Sequence, residues 1–112
     1  MKKEILNDIV EKLKKLISFK TTKDNLTEFD NAFKYIKEQL EGYFVREIMV
    51  DEYKNIIFSN TKGNDFDIIF CTHIDVVPAK EELYVAKELD GRVYWRGSFD
   101  MKSQVAVILS LL

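Results

Sequence analysis

Apolar residues recur three and four positions apart at the start of the chain: Ile5, Leu6, Ile9, Val10, Leu13, Leu16 and Ile17. That spacing predicts an amphipathic helix over 3–18, with its lysines on the other face. A basic helix with an apolar side suits a membrane surface or a partner helix, but a solvated lysine face is the commoner cause and is the reading adopted. A second helix is predicted over 25–41. Asn25 stands at its N-cap, Glu28 at the reciprocal capping position, and Phe29, Phe33, Ile36 and Leu40 form its stripe. Gly42 is the natural stop. The period then shortens. Residues 43–50 and 55–59 are rich in β-branched and aromatic side chains and predict strands, followed by a polar turn over 60–65. Ile68-Ile69-Phe70-Cys71 has no alternation, which suits a strand buried on both faces in the parallel part of a sheet, here 67–72. Strands over 84–89 and 92–95 flank Asp90-Gly91, a strong hairpin signal. A last helix is predicted over 101–112 from Val105, Ile108, Leu109 and Leu112. Helices alternating with strands predict an α/β fold, a mixed sheet flanked by helices.

Composition narrows the class. A chain of 112 residues makes one domain, and 46% apolar with 32% charged residues suits a globular one. A formal charge of −2 provides no field for nucleic acid or an anionic membrane, so neither is expected as a partner. A single cysteine excludes an internal disulfide framework, and no apolar run approaches the ~20 residues of a membrane span. A cytoplasmic location is the default expectation.

Candidate chemistry lies in two places. The single histidine sits in Cys71-Thr72-His73-Ile74-Asp75-Val76-Val77-Pro78, just past the predicted buried strand, where open α/β sheets bind ligands. Residues i and i+2 of an extended segment share a side, so Asp75 can accept one imidazole N–H and leave the other nitrogen for a metal. By itself, however, a lone histidine is more often an ordinary hydrogen-bonded residue. The second place is Arg96-Gly97-Ser98-Phe99-Asp100-Met101-Lys102. There Asp100 is either a helix cap or a carboxylate able to bridge two cations. Gly97 allows close backbone approach or simply makes a turn. Lys102 reads as solvated, and Cys71 as a small buried hydrophobe.

Taken together, His73-x-Asp75-x-x-Pro78 with Asp100-Met101-Lys102 behind Arg96-Gly97 resembles the dizinc M20 metallopeptidase family, which includes aminoacylases, N-acyl deacetylases and desuccinylases, and di- and tripeptidases. The resemblance begins at the first helix and its exit, Ser18-Phe19-Lys20-Thr21-Thr22. It implies the amino-terminal portion of a zinc-peptidase-like catalytic domain. In that frame His73 is a zinc ligand, Asp75 the carboxylate that orients it for catalysis, and Asp100 the bridge between two zinc ions, with cobalt as a substitute. It further implies a metal-held water attacking an amide of a small N-acyl amino acid or peptide. A cis peptide after Asp100 is expected on the same ground. Two positions depart from the family pattern: Trp95 and Ser103 stand where glycine is common. Length departs more, because complete members add a glutamate pair, further ligands and a dimerisation domain. Residues 1–112 are therefore expected to be a partial catalytic domain, inactive alone and suited to a complementary carboxyl-terminal chain. A degenerate, non-catalytic interaction module of the same fold is the alternative.

Overall fold

The computed structural model describes residues 1–112. Its elements are α1 (Lys2–Ser18), α2 (Leu26–Gln39), β1 (Phe44–Val50), β2 (Tyr53–Ser59), a 3-10 turn over Glu81–Tyr84, β3 (Lys87–Leu89), β4 (Arg92–Tyr94) and α3 (Lys102–Leu111). The α/β class and all three helices follow the periodicities. Strands β1 and β2 pair antiparallel from Phe44↔Ser59 to Val50↔Tyr53, and β3 pairs antiparallel with β4. Both centre residues of the second hairpin turn, Asp90 and Gly91, have positive φ (53° and 73°), the twist that matches a two-residue loop to its strands.

The core gathers Leu13, Leu16 and Ile17 of α1, Ala32, Ile36 and Leu40 around α2, and Val105, Ala106 and Leu109 of α3, with Ile74 between them. Only the carboxyl-terminal half of the α1 stripe is covered. Ile5 and Leu6 remain 41% and 59% exposed, since α3 packs on the last turns. Val107 and Leu111 of α3 and the following Leu112 are exposed as well, and every residue of β1 is exposed.

Several expectations need correction. No strand forms over 67–72. Ile68 and Ile69 are each 74% exposed and Phe70 63%, because a buried parallel strand exists only between hydrogen-bonding neighbours, and none lies beside this segment. The strands accordingly form two antiparallel hairpins rather than one mixed sheet. Cys71, in the same segment, is exposed rather than buried. The strand expected over 84–89 shortens to β3, because Tyr84 closes the 3-10 turn and its buried hydroxyl accepts the Ala79 N–H at 3.0 Å. Asn25 occupies the α2 N-cap without a side-chain cap bond; its amide turns back to Thr22 Oγ1. Glu28 is likewise diverted, accepting the Lys20 backbone N–H at 3.2 Å.

Candidate metal centre

The segment carrying His73 is held from behind by the α1 exit. Thr21, fully buried, donates its hydroxyl to the Ile74 carbonyl at 2.5 Å, and its own carbonyl accepts the Val76 N–H at 2.9 Å. This pair of bonds keeps 74–76 extended without a neighbouring strand. Ile74 therefore points into the core, and His73 and Asp75 share the outer side, as the alternation of an extended chain requires.

Asp100 reaches the same place from the second hairpin. Helix α3 begins at Lys102 with Met101 at its N-cap and no side-chain cap bond, so Asp100 is not a helix cap. The Asp100–Met101 peptide is cis, as the family resemblance implies. The Met101 sulfur accepts the His73 backbone N–H at 3.4 Å, which ties the two motif halves together. The imidazole then lies between carboxylates: Nδ1 is 3.0 Å from Asp75 Oδ1, and Nε2 is 3.1 Å from Asp100 Oδ1. The structure thus brings together all three expected site residues. They line a cleft of about 470 Å³ with Trp95, Arg96 and Phe99. The centre is open, with the Asp100 side chain 78% exposed and His73 47%. No group of three or more His, Cys, Asp or Glu side chains is arranged to hold one metal ion.

Three residues beside the site, all present in the quoted motifs, have places there that the motifs did not reveal. Lys102 is 1% exposed, not solvated, and its Nζ donates to the Phe19 carbonyl at 2.8 Å. Burial pulls its ammonium down to about 8, while the Glu28 carboxylate works in the other direction. A signal was available: 102, 105, 106 and 109 fall on one helical stripe, so Lys102 lies on the buried side of α3. Its stem fills the space above Gly97. That glycine has φ +90°, and a Cβ there would stand 2.8 Å from Lys102 Cδ and 3.1 Å from Val76 Cγ1. Left-handed backbone and overpacking together lead us to expect that Gly97→Ala lowers unfolding stability by about 3 kcal/mol, measured by urea denaturation. A loss below about 0.5 kcal/mol would contradict this packing. The remaining neighbours are Thr21, for which the sequence holds no local signal, and Arg96. Trp95, where the family pattern favours glycine, has φ 111°, a region that side chains rarely adopt and that costs on the order of 1–3 kcal/mol. Ser103 sits in the first turn of α3, where its hydroxyl meets Gln104.

Residues 69–112 match the family model described as Peptidase family M20/M25/M40. A succinyl-diaminopimelate desuccinylase of Nautilia profundicola is 36% identical over 107 residues, covering 91% of this chain and 28% of the relative. A protein of the same name from Rickettsia felis is 34% identical over 111 residues, covering 88% and 28%, and one from a Sulfurovum species is 31% identical, covering 91% and 28%. The chain is thus similar to M20-family peptidases over its last 44 residues and to these desuccinylases over most of its length. It spans a little over a quarter of the length of the curated relatives it matches. No helix is long and apolar enough to cross a membrane.

Proposed function

We propose that residues 1–112 are a partial catalytic domain of a metal-dependent hydrolase that cleaves an amide bond of a small N-acyl amino acid or short peptide. One observation carries this reading, the approach of His73 Nε2 to Asp100 Oδ1 at 3.1 Å on the wall of the cleft. Two donors on one tetrahedral zinc, with bonds of about 2.0–2.1 Å, stand about 3.3 Å apart. His73 and Asp100 are therefore spaced to share an ion. Were Nδ1–H given to Asp75, Nε2 would turn its lone pair toward the Asp100 carboxylate, two donors that a cation between them would satisfy.

His73 and Asp100 are the residues that would hold zinc, with cobalt as a substitute. When bound, such an ion polarises an amide carbonyl and lowers the pKa of its water. The chain's own residues supply the positioning. Asp75 fixes the tautomer and plane of His73, Thr21 holds the backbone between them, and the Met101 sulfur joins the two halves of the motif. The remaining ligands and the general base belong to a carboxyl-terminal segment or a complementary chain. The reading includes a cytoplasmic location, with neither nucleic acid nor a membrane as partner.

Replacing the orienting carboxylate tests it. Asp75→Asn is expected to weaken zinc binding 10- to 100-fold while the circular dichroism spectrum stays as in the parent protein. Zinc affinity that Asp75→Asn leaves unchanged would remove Asp75 from this role. A parent chain that binds neither zinc nor cobalt would leave a non-catalytic interaction module as the better reading.

A further inference from the structure

Lys102 is the one charged side chain that the fold buries, and its ammonium makes a single hydrogen bond, to the Phe19 carbonyl at 2.8 Å. The fold has no need of that charge. The Phe19 carbonyl already accepts the Thr21 N–H at 2.9 Å, so it would not be orphaned without the ammonium. The space over Gly97 is filled by the stem, which an uncharged side chain of similar length would fill as well. A charge buried against one partner is costly, and proteins break such a rule chiefly where a site requires it. Here the ammonium joins the two segments that carry His73 and Asp100. The Lys102 backbone N–H donates to the Gly97 carbonyl at 2.9 Å and closes the loop on which Asp100 stands. Its Nζ meets the α1 exit two residues before Thr21, whose hydroxyl and carbonyl hold Ile74 and Val76 on either side of Asp75. Behind the imidazole, the other bond between the two halves is that of the Met101 sulfur at 3.4 Å, a weak acceptor.

We infer that Lys102 is a positioning residue, whose ammonium sets the spacing of His73 and Asp100 by tying the Asp100 loop to the Phe19 carbonyl. This rests on the metal-hydrolase reading of those two residues and extends it to what holds them in place. A metal site works only when its donors stand within about 0.2 Å of their proper distances, and the 3.1 Å between His73 Nε2 and Asp100 Oδ1 is of that kind. Apolar packing alone is not directional and lets neighbouring segments slide, whereas a hydrogen bond fixes both a length and an angle. With an apolar end in place of the ammonium, α3 stays packed on α1, but the Asp100 loop is free to shift against the α1 exit. The fold then loses a cost and the site loses its spacing.

The test compares the complete 112-residue chain with Lys102→Met at pH 7. It reads the urea midpoint, the zinc affinity, and, in the metal-free chain, the nuclear Overhauser contact between the His73 ring and the Asp100 methylene. Lys102→Met is expected to unfold at the parent's urea concentration or above it, to bind zinc about tenfold or more weakly, and to lose much of that contact. Lys102→Arg, which keeps a charged donor, should recover part of both. Ile36→Val, a core truncation in the second half of α2, should lower the urea midpoint and leave zinc affinity unchanged, which separates positioning from general loosening. An Overhauser contact or a zinc affinity equal to the parent's in a folded Lys102→Met would overturn the inference. So would stability and affinity falling together in that variant, the mark of a merely structural lysine. A parent chain that binds no zinc, with the contact weakened in Lys102→Met, would overturn the metal reading and retain the tether. Zinc bound equally by both chains would do the reverse.

Discussion

Zinc titrated into the 112-residue chain is expected to bind weakly, to be lost in His73→Ala and in Asp100→Ala, and to support no turnover of N-acyl amino acids or dipeptides. The reason is the donor count. His73 and Asp100 face one another at 3.1 Å, but no third metal-capable side chain joins them, whereas catalytic zinc ordinarily has three protein ligands. Asp75 is engaged with His73 Nδ1 and cannot also serve as a free base for water. A positioned general base is typically worth 10²–10⁴-fold in rate. Removing an orienting group costs 10- to 100-fold in metal affinity, so removing either direct ligand is expected to cost more than about 100-fold. Competition against a chromophoric chelator measures the affinity, and the zinc- or cobalt-loaded chain is assayed against a panel of substrates. Metal-dependent turnover abolished by His73→Ala would overturn the second half of this expectation. It would mean that another copy of the chain completes the site.

Raising the pH from 8 to 10 is expected to stabilise the fold by about 2 to 3 kcal/mol, through Lys102. In the folded chain burial brings this ammonium down to about 8, against the ordinary 10.5 of an unfolded lysine. Between those values the unfolded chain holds the extra proton, so withdrawing protons favours the folded state. Below pH 8 both states are protonated and the fold bears the full cost of a buried charge answered by one carbonyl, that of Phe19. Above pH 10 other groups act in the opposite sense. Burial holds the Tyr35 phenol above its ordinary value, and carboxylate partners do the same for Lys14, Lys20 and Lys54, so their contributions fade as they deprotonate. Urea midpoints at pH 7, 8, 9 and 10 measure the slope. Lys102→Met keeps the stem over Gly97 and removes the charge, and its profile should be flat over the same range. A rise that persists in Lys102→Met would assign the effect to another group.

Local pattern was enough for the three helices, the Asp90-Gly91 hairpin and the placement of His73 and Asp75 on one side of Ile74. In each case the information lies within a few residues: a 3.6-residue period, a turn needing two positive φ values, or the two-residue alternation of extended chain. Family resemblance joined Asp100 to His73, which no local period could do across 27 residues.

Tertiary structure alone decided the rest. The run Ile68-Ile69-Phe70-Cys71 has the composition of a buried strand, yet a strand needs hydrogen-bonding neighbours, and its apolar side chains stand in solvent without them. Asn25 and Glu28 have the spacing of a reciprocal cap, but Glu28 finds a better use at the Lys20 backbone N–H, which only the turn of the α1 exit delivers. A lysine after Asp100 reads as solvated because charge is costly to bury. Lys102 is buried because Gly97 leaves room for its stem and the Phe19 carbonyl meets its ammonium, 83 residues earlier in the chain. Periodicity reports which side of an element is apolar; it does not report what that side will meet, and the meeting places Thr21, Arg96 and Lys102 around the site.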